Sequence, residues 1–189
     1  ATSGNWTGIL NSASAATINM SGNTIQNATL AGTGTWQGIA NGTVSSATVA
    51  INDNFLLNNT ITSTGTFSGI LNNTSLPVTN ISMSGNTISG NSKNSPLAGT
   101  APQVAWLNSN SSTTSATINN NRIINNVVNA GNFALTVALI NQSTSNYTLS
   151  GNVLNNNSIA NVSGAFNMTL QGYRNTSSAS SEVITNNLS

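Results

Sequence analysis

The sequence predicts an all-β protein built as a parallel β-solenoid of about six coils, each roughly thirty residues long. Three observations carry that prediction. First, the chain repeats itself: residues 3–25 read SGNWTGILNSASAATINMSGNTI, residues 65–88 read GTFSGILNNTSLPVTNISMSGNTI, and residues 34–61 give a looser copy. Three more copies follow in AWLNSNSSTTSATINNNRI, FALTVALINQSTSNYTLSGNVL and FNMTLQGYRNTSSASSEVITNNL. Second, apolar residues in each copy alternate with Thr, Ser or Asn, the period of a half-buried strand, and no stretch sustains helical spacing. Third, an Asn recurs at one place in each copy: Asn23, Asn54, Asn86, Asn120 or Asn121, Asn152 and Asn186.

Each copy holds three apolar stations, read as strands. The first is led by an aromatic residue: Trp6 to Leu10, Trp36 to Ile39, Phe67 to Leu71, Trp106-Leu107, Phe133 to Ile140 and Phe166 to Leu170. The second follows a Ser/Thr/Asn-rich loop, at Ile18 and Met20, Val49 and Ile51, Ile81 and Met83, Ile118, Leu149 and Val183. The third follows the recurrent Asn, at Ile25, Phe55 to Leu57, Ile88, Ile123-Ile124, Val153-Leu154 and Leu188. Asn tolerates the left-handed conformation and bonds its own backbone, so it suits corners, and stacked corner residues would form amide ladders. The motif INMSGNTI, ISMSGNTI and YTLSGNVL resembles the corner of right-handed parallel β-helix proteins. Coils in that family are commonly shorter, so the resemblance implies a long loop between the first and second strands here. An antiparallel Ig-like or pilin-like β-sandwich, with each copy a hairpin and a donated N-terminal strand, meets the same alternation and stays open as the alternative.

Residues 91–103, NSKNSPLAGTAPQ, break the rhythm with the only lysine and with Pro96 and Pro102, and read as an irregular loop. The stations resume afterwards, so residues 26–189 form a single all-β domain. Residues 1–25 stand apart as an N-terminal repeat that could complete the edge of another molecule. The start at Ala1-Thr2-Ser3 suits a mature chain after removal of a leader.

Composition narrows the function classes. Of 189 residues, 36 are Asn and 54 are Ser or Thr, while Asp53, Lys93, Arg122, Arg174 and Glu182 are the only charged ones. Three scattered cations cannot track phosphates, so no nucleic-acid partner is expected. No apolar run is long enough to span a bilayer, and no basic amphipathic helix is visible. Two carboxylates and no His leave little to titrate in acid, which suits an acidic exterior.

The same scarcity removes most chemistry. Without His or Cys there is no nucleophile-base pair or zinc set, and one aspartate is too little for calcium, so no catalytic residue, metal or cofactor is expected. A glycosidase pair would need Asp53 and Glu182 together, but in a solenoid they fall about 19 Å apart at about 4.8 Å per coil. An intramolecular isopeptide bond would use Lys93, which the Ser/Pro-rich surroundings place in a loop. The aromatic residues could form an exposed sugar-stacking ladder, although their shared place in the most apolar station favours a core ladder.

The acceptor pattern Asn-x-Ser/Thr occurs sixteen times, at Asn5, Asn19, Asn27, Asn41, Asn58, Asn72, Asn73, Asn80, Asn110, Asn141, Asn146, Asn156, Asn161, Asn167, Asn175 and Asn187. Composition alone predicts about ten, so the excess points to N-glycosylation at a secreted surface. Asn19 and Asn80 can carry sugar only if they face outward, and only one of the overlapping pair Asn72 and Asn73 would be used.

This sequon-dense, nearly uncharged character, with segments such as LNNTSLPVTNISMSGNTI, resembles the subunits of glycosylated thread-type surface pili of thermoacidophilic archaea. The resemblance implies head-to-tail subunits, donor-strand complementation, covalent N-glycans and a pilin-like sandwich. The chain lacks the apolar N-terminal helix of type IV pilins. The expected function is therefore a structural, non-enzymatic subunit of an extracellular filament on the cell surface, whose partners are copies of itself. Two rivals are a carbohydrate-binding adhesin domain with exposed Trp6, Trp36 and Trp106, and a polysaccharide-cleaving β-helix with Asp53 and Glu182 in one groove.

Overall fold

A computed structural model describes residues 4–42, 46–74, 78–95, 104–109, 113–130, 135–144, 146–161, 168–176, 181–185 and 187–188. They form twenty-two strands and no helix. The first coil comprises β1 (Trp6–Asn11), β2 (Thr17–Asn19), β3 (Thr24–Gln26) and β4 (Thr29–Gly32). The second comprises β5 (Trp36–Asn41), β6 (Ser46–Ala50), β7 (Phe55–Leu57) and β8 (Thr60–Ser63). The third comprises β9 (Phe67–Asn72), β10 (Val78–Ser82), β11 (Thr87–Ser89) and β12 (Ser92–Ser95). The fourth comprises β13 (Val104–Ser109), β14 (Thr113–Asn119), β15 (Arg122–Ile124) and β16 (Val127–Ala130). The fifth comprises β17 (Leu135–Gln142), β18 (Asn146–Ser150), β19 (Val153–Asn155) and β20 (Ser158–Asn161). In the sixth, β21 (Met168–Asn175) and β22 (Ser181–Thr185) are followed by a bridge from Leu188 to Val153.

Four parallel sheets result, ordered β1-β5-β9-β13-β17-β21, β2-β6-β10-β14-β18-β22, β3-β7-β11-β15-β19 and β4-β8-β12-β16-β20. Each strand pairs with its counterpart one coil on, as in Ile9↔Ile39 and Ile39↔Ile70. The chain is thus a parallel β-solenoid of five complete coils and a partial sixth. Parallel pairing throughout rules out the antiparallel sandwich.

Each coil has four strands, where the sequence suggested three. The fourth strand absorbs the length that was assigned to a long loop between the first and second strands. That connection is short: β1 ends at Asn11 and β2 begins at Thr17. Lys93 is likewise in β12, not in a loop; residues 96–103 of the supposed loop lie outside the described residues.

Two corners per coil share one design. All ten residues with positive φ among the described ones fall on two registers: Gly22, Asp53, Gly85, Asn120 and Gly151, then Asn27, Asn58, Gly90, Asn125 and Asn156. Gly and Asn are the residues that enter this region at least cost, which explains their alternation there. Directly after each comes the residue that turns inward, Asn54 or Asn59 for example, both fully buried. A three-residue strand separates the two corners, so the left-handed residue recurs five positions later.

Inside, side chains stack in columns. Ile25, Leu56, Ile88, Ile123 and Leu154 form one, Met20, Ile51, Met83, Ile118 and Leu149 another. A fully buried Ile or Leu is worth about 1.5–3 kcal/mol over an exposed one, so these columns hold the coils together. Ile184, not Val183, continues the Leu149 column, since Val183 pairs with Thr148. Leu188 pairs with Val153, in the Phe55 column, and both Leu188 and Phe55 are exposed rather than core.

Candidate functional site

The aromatic residues are core. Trp6 stacks on Trp36 at 5.0 Å between ring centroids, and Trp36 on Phe67 at 4.8 Å. Glycines make room for them: a Cβ on Gly38 would come within 3.0 Å of the Trp36 ring and 2.5 Å of the Gly69 carbonyl oxygen. Trp106 departs from the expected register. Val104, not Trp106, pairs with Phe67, so Trp106 takes the place of Gly69 and meets Phe67 edge-on at 4.7 Å. Trp36 and Trp106 are buried and Trp6 is half-buried, so no exposed sugar-stacking ladder exists among them. Phe133 and Phe166 lie outside the described residues.

The recurrent Asn residues form the ladder the sequence suggested. Asn23, Asn54, Asn86, Asn121 and Asn152 each donate from Nδ2 to the Oδ1 of the next, at 2.9–3.0 Å, and the ladder ends on Asn187. Asn121 is the rung, not Asn120, and Asn187 is the last one; Asn186 lies outside the described residues. The hydrogen-bond accounting of an interior rung closes. Asn86 Oδ1 accepts from the backbone N and Nδ2 of Asn54, and its Nδ2 donates to Asn121 Oδ1 and to the Ile51 carbonyl. A second ladder went unread in the sequence: Asn59, Asn91, Asn126 and Asn157, with the Ala28 backbone N at its head. A third, shorter run joins Asn11, Asn41 and Asn72.

These ladders bear on the sixteen sequons. Asn41 and Asn72 are fully buried with Nδ2 of Asn41 on Oδ1 of Asn72, so a glycan there would require the run to be dismantled. Asn5, Asn19, Asn27, Asn58, Asn73, Asn80, Asn156 and Asn187 are exposed. Asn19 and Asn80 thus meet the outward-facing condition, and of the overlapping pair Asn73 is the accessible member. Asn141, Asn146 and Asn175 are half-buried; Asn161 belongs to β20, and Asn110 and Asn167 lie outside the described residues. Asn27, Asn58 and Asn156 share one left-handed corner register, followed by the inward residue and an outward Ser or Thr. Corner geometry therefore accounts for the Asn of these three acceptor patterns.

Lys93 is fully buried between Ile61 and Val128 in the fourth inward column. Its Nζ donates to the Ser63 carbonyl, to Ser95 Oγ at 2.9 Å and to the Asn94 carbonyl at 3.4 Å. These partners are neutral, and burial lowers its pKa from 10.5 to about 8. The isopeptide chemistry needs an acidic catalyst, and no carboxylate is among its partners. Asp53 stands at a corner of the second coil and Glu182 in β22 of the sixth, four coil steps or about 19 Å along the axis. Among the described residues no three His, Cys, Asp or Glu gather.

What remains are the two ends. β1, β2, β3 and β4 of the first coil pair on one side only, as do β21 and β22 of the last. The first coil is less buried than the second: Ile9, Ile25 and Leu30 are partly exposed where Ile39, Leu56 and Ile61 are buried. A cleft of about 170 Å³ opens there between Trp6, Leu30, Trp36 and Ile61. The described residues thus form a β-solenoid whose first and last coils pair on one side only among them. Comparison with protein-family models, curated proteins and solved structures finds no match.

Proposed function

We propose that this chain is the structural subunit of a secreted, N-glycosylated extracellular filament that grows head to tail by completing open β edges. The observation that carries the reading is the polarity of the Asn ladder. Asn23 donates into it and its own Oδ1 accepts nothing among the described residues, whereas Asn187 receives from Asn152 and keeps a backbone N–H to pass on. In this ladder one end of the rod thus offers an acceptor and the other donors. Unlike ends that fit each other make a heterologous contact, which extends without closing. Open edges favour the same outcome, since unpaired N–H and C=O groups template another strand.

Residues 6–32 pair within their own chain, against the second coil. Edge completion by stacking of whole coils is therefore favoured over donation of a single strand. The resemblance to archaeal thread-type subunits rests on composition and sequons, because the solenoid differs from the sandwich which that family implies. The exposed sequons suit a glycan coat around the rod, leaving the two ends bare. Sedimentation velocity on the purified chain tests the reading: mass should rise with concentration through a broad series of oligomers. A single monomer peak at every concentration up to the millimolar range would reject it.

A further inference from the structure

The first strands of the second and last coils share three of six residues in register. Residues 36–41 read WQGIAN and residues 170–175 read LQGYRN, and the strand pairings place Gln37 with Gln171, Gly38 with Gly172 and Asn41 with Asn175 in the same columns. The fourth and fifth coils differ, with Trp106 and Leu139 in the glycine column. The first coil in turn repeats the third: WTGILN at residues 6–11 against FSGILN at 67–72. Within the chain the second coil lies directly below the third.

In the first three coils, where this column holds glycine, the steric cause is a carbonyl oxygen of the following coil; the fourth and fifth coils, also followed by a coil, carry Trp106 and Leu139 instead. A Cβ on Gly8 would meet the Gly38 carbonyl oxygen at 2.7 Å, one on Gly38 that of Gly69 at 2.5 Å, and one on Gly69 that of Trp106 at 2.3 Å. Among the described residues Gly172 has no such neighbour: a Cβ there would touch Leu154 Cδ1, at an ordinary 3.4 Å. Its φ is not positive either, so the backbone does not ask for glycine. A glycine in a strand interior weakens it unless another backbone approaches closely. The ladder ends agree, because Asn187 presents donors on the face where Asn23 of a following coil would present Oδ1.

We infer that the face below which Gly172 lies open receives the first coil of a second copy, in one register: β21 pairs with β1 and β22 with β2 of the neighbour, as β5 and β6 pair with β9 and β10. The Gly8 carbonyl oxygen of that copy then fills the space a Cβ on Gly172 would take. The inference rests on the end-to-end reading and adds the occupant and the register.

Disulfide trapping tests it, since the chain has no cysteine of its own. In this register Thr7 of one copy lies beside Gln171 of the next, about 4.8 Å apart at the Cα atoms, within disulfide reach. The oxidised double variant Thr7→Cys/Gln171→Cys should give a covalent ladder on a non-reducing gel. Leu10→Cys/Gln171→Cys, three residues out of register or about 10 Å, should not. Polymers that cross-link only in the second pair, or in neither, overturn the register and leave the end-to-end reading standing. Absence of polymers overturns both. Gly172→Ala is the companion variant: its thermal midpoint as a monomer should match the parent, while assembly weakens by about tenfold or more, equivalent to about 1.4 kcal/mol. Unchanged assembly of Gly172→Ala would overturn the inference.

Discussion

Asn86 and Asn121 are 35 residues apart in sequence, yet the Nδ2 of one donates to the Oδ1 of the other at 3.0 Å, with both side chains fully buried. Every atom able to hydrogen-bond in the Asn86 carboxamide is used, and each bond links one coil to a neighbouring one. The polar ladder therefore does in the corners what the apolar columns do in the faces: it sets the spacing and register of the stack.

Truncating Asn86 would leave the backbone N and Nδ2 of Asn54 without their acceptor and remove a donor from Ile51. Asn86→Ala should cost about 2–4 kcal/mol, the scale of a broken buried network. Chemical denaturation checks this. Asn120→Ala, at the exposed position before the next rung Asn121, should cost about 1 kcal/mol from its left-handed backbone alone.

Gly38→Ala sets a methyl against the Gly69 carbonyl oxygen at 2.5 Å and Leu56 Cδ2 at 2.7 Å. Two coils must part or the Trp36 stack must move. The expected loss is about 1–3 kcal/mol, typical of overpacking, with a changed near-ultraviolet signal from the Trp6–Trp36 pair. A thermal melt followed by circular dichroism reads both.

Lys93 gives the fold an unusual pH response. Its folded pKa, lowered by burial to about 8, lies below its unfolded 10.5. Below pH 8 both states are protonated and the fold carries the full penalty of a buried charge, about 3 kcal/mol for about 2.5 pH units. Between pH 8 and 10.5 the native state loses the proton while the unfolded state keeps it, so stability rises with pH; above that window the penalty is gone. Lys93→Met should be more stable than the parent by about 2–3 kcal/mol at pH 7 and should match it near pH 10.5. Denaturant titrations at both pH values check it, and taking the difference between the two proteins removes the tyrosines, which titrate near the top of the same window.

If the chain is glycosylated, occupancy should follow accessibility. Site-resolved mass spectrometry should find sugar among Asn5, Asn19, Asn27, Asn58, Asn73, Asn80, Asn156 and Asn187, and none on Asn41 or Asn72, whose carboxamides are fully buried. Sugar on Asn72 in folded protein would contradict the buried Asn11-Asn41-Asn72 run.

The repeat, the strands and the first Asn ladder were legible because they recur in every coil with little variation. The fourth strand was hidden because it shows one inward apolar residue amid short polar ones, and in the third coil that residue is Lys93. A lone lysine beside proline reads as solvent-exposed, yet its Nζ reaches neutral oxygens of its own and the preceding coil. The second ladder was masked by its own chemistry: Asn58-Asn59-Thr60 reads as a glycan acceptor, while Asn58 turns the corner and Asn59 carries the rung. Trp106 misled because large and small residues exchange places within one strand, with Val104 where an aromatic residue was expected. Gly172 becomes informative only beside Gly8, Gly38 and Gly69, the glycines of the first three coils in its column.

Electron cryomicroscopy of the purified chain tests the central claim most directly. End-to-end stacking of these solenoids predicts filaments with a layer spacing of about 4.8 Å and a subunit repeat of about 29 Å, six coils per molecule. Isolated monomers at high concentration, or filaments whose strands do not run perpendicular to the long axis, would contradict it.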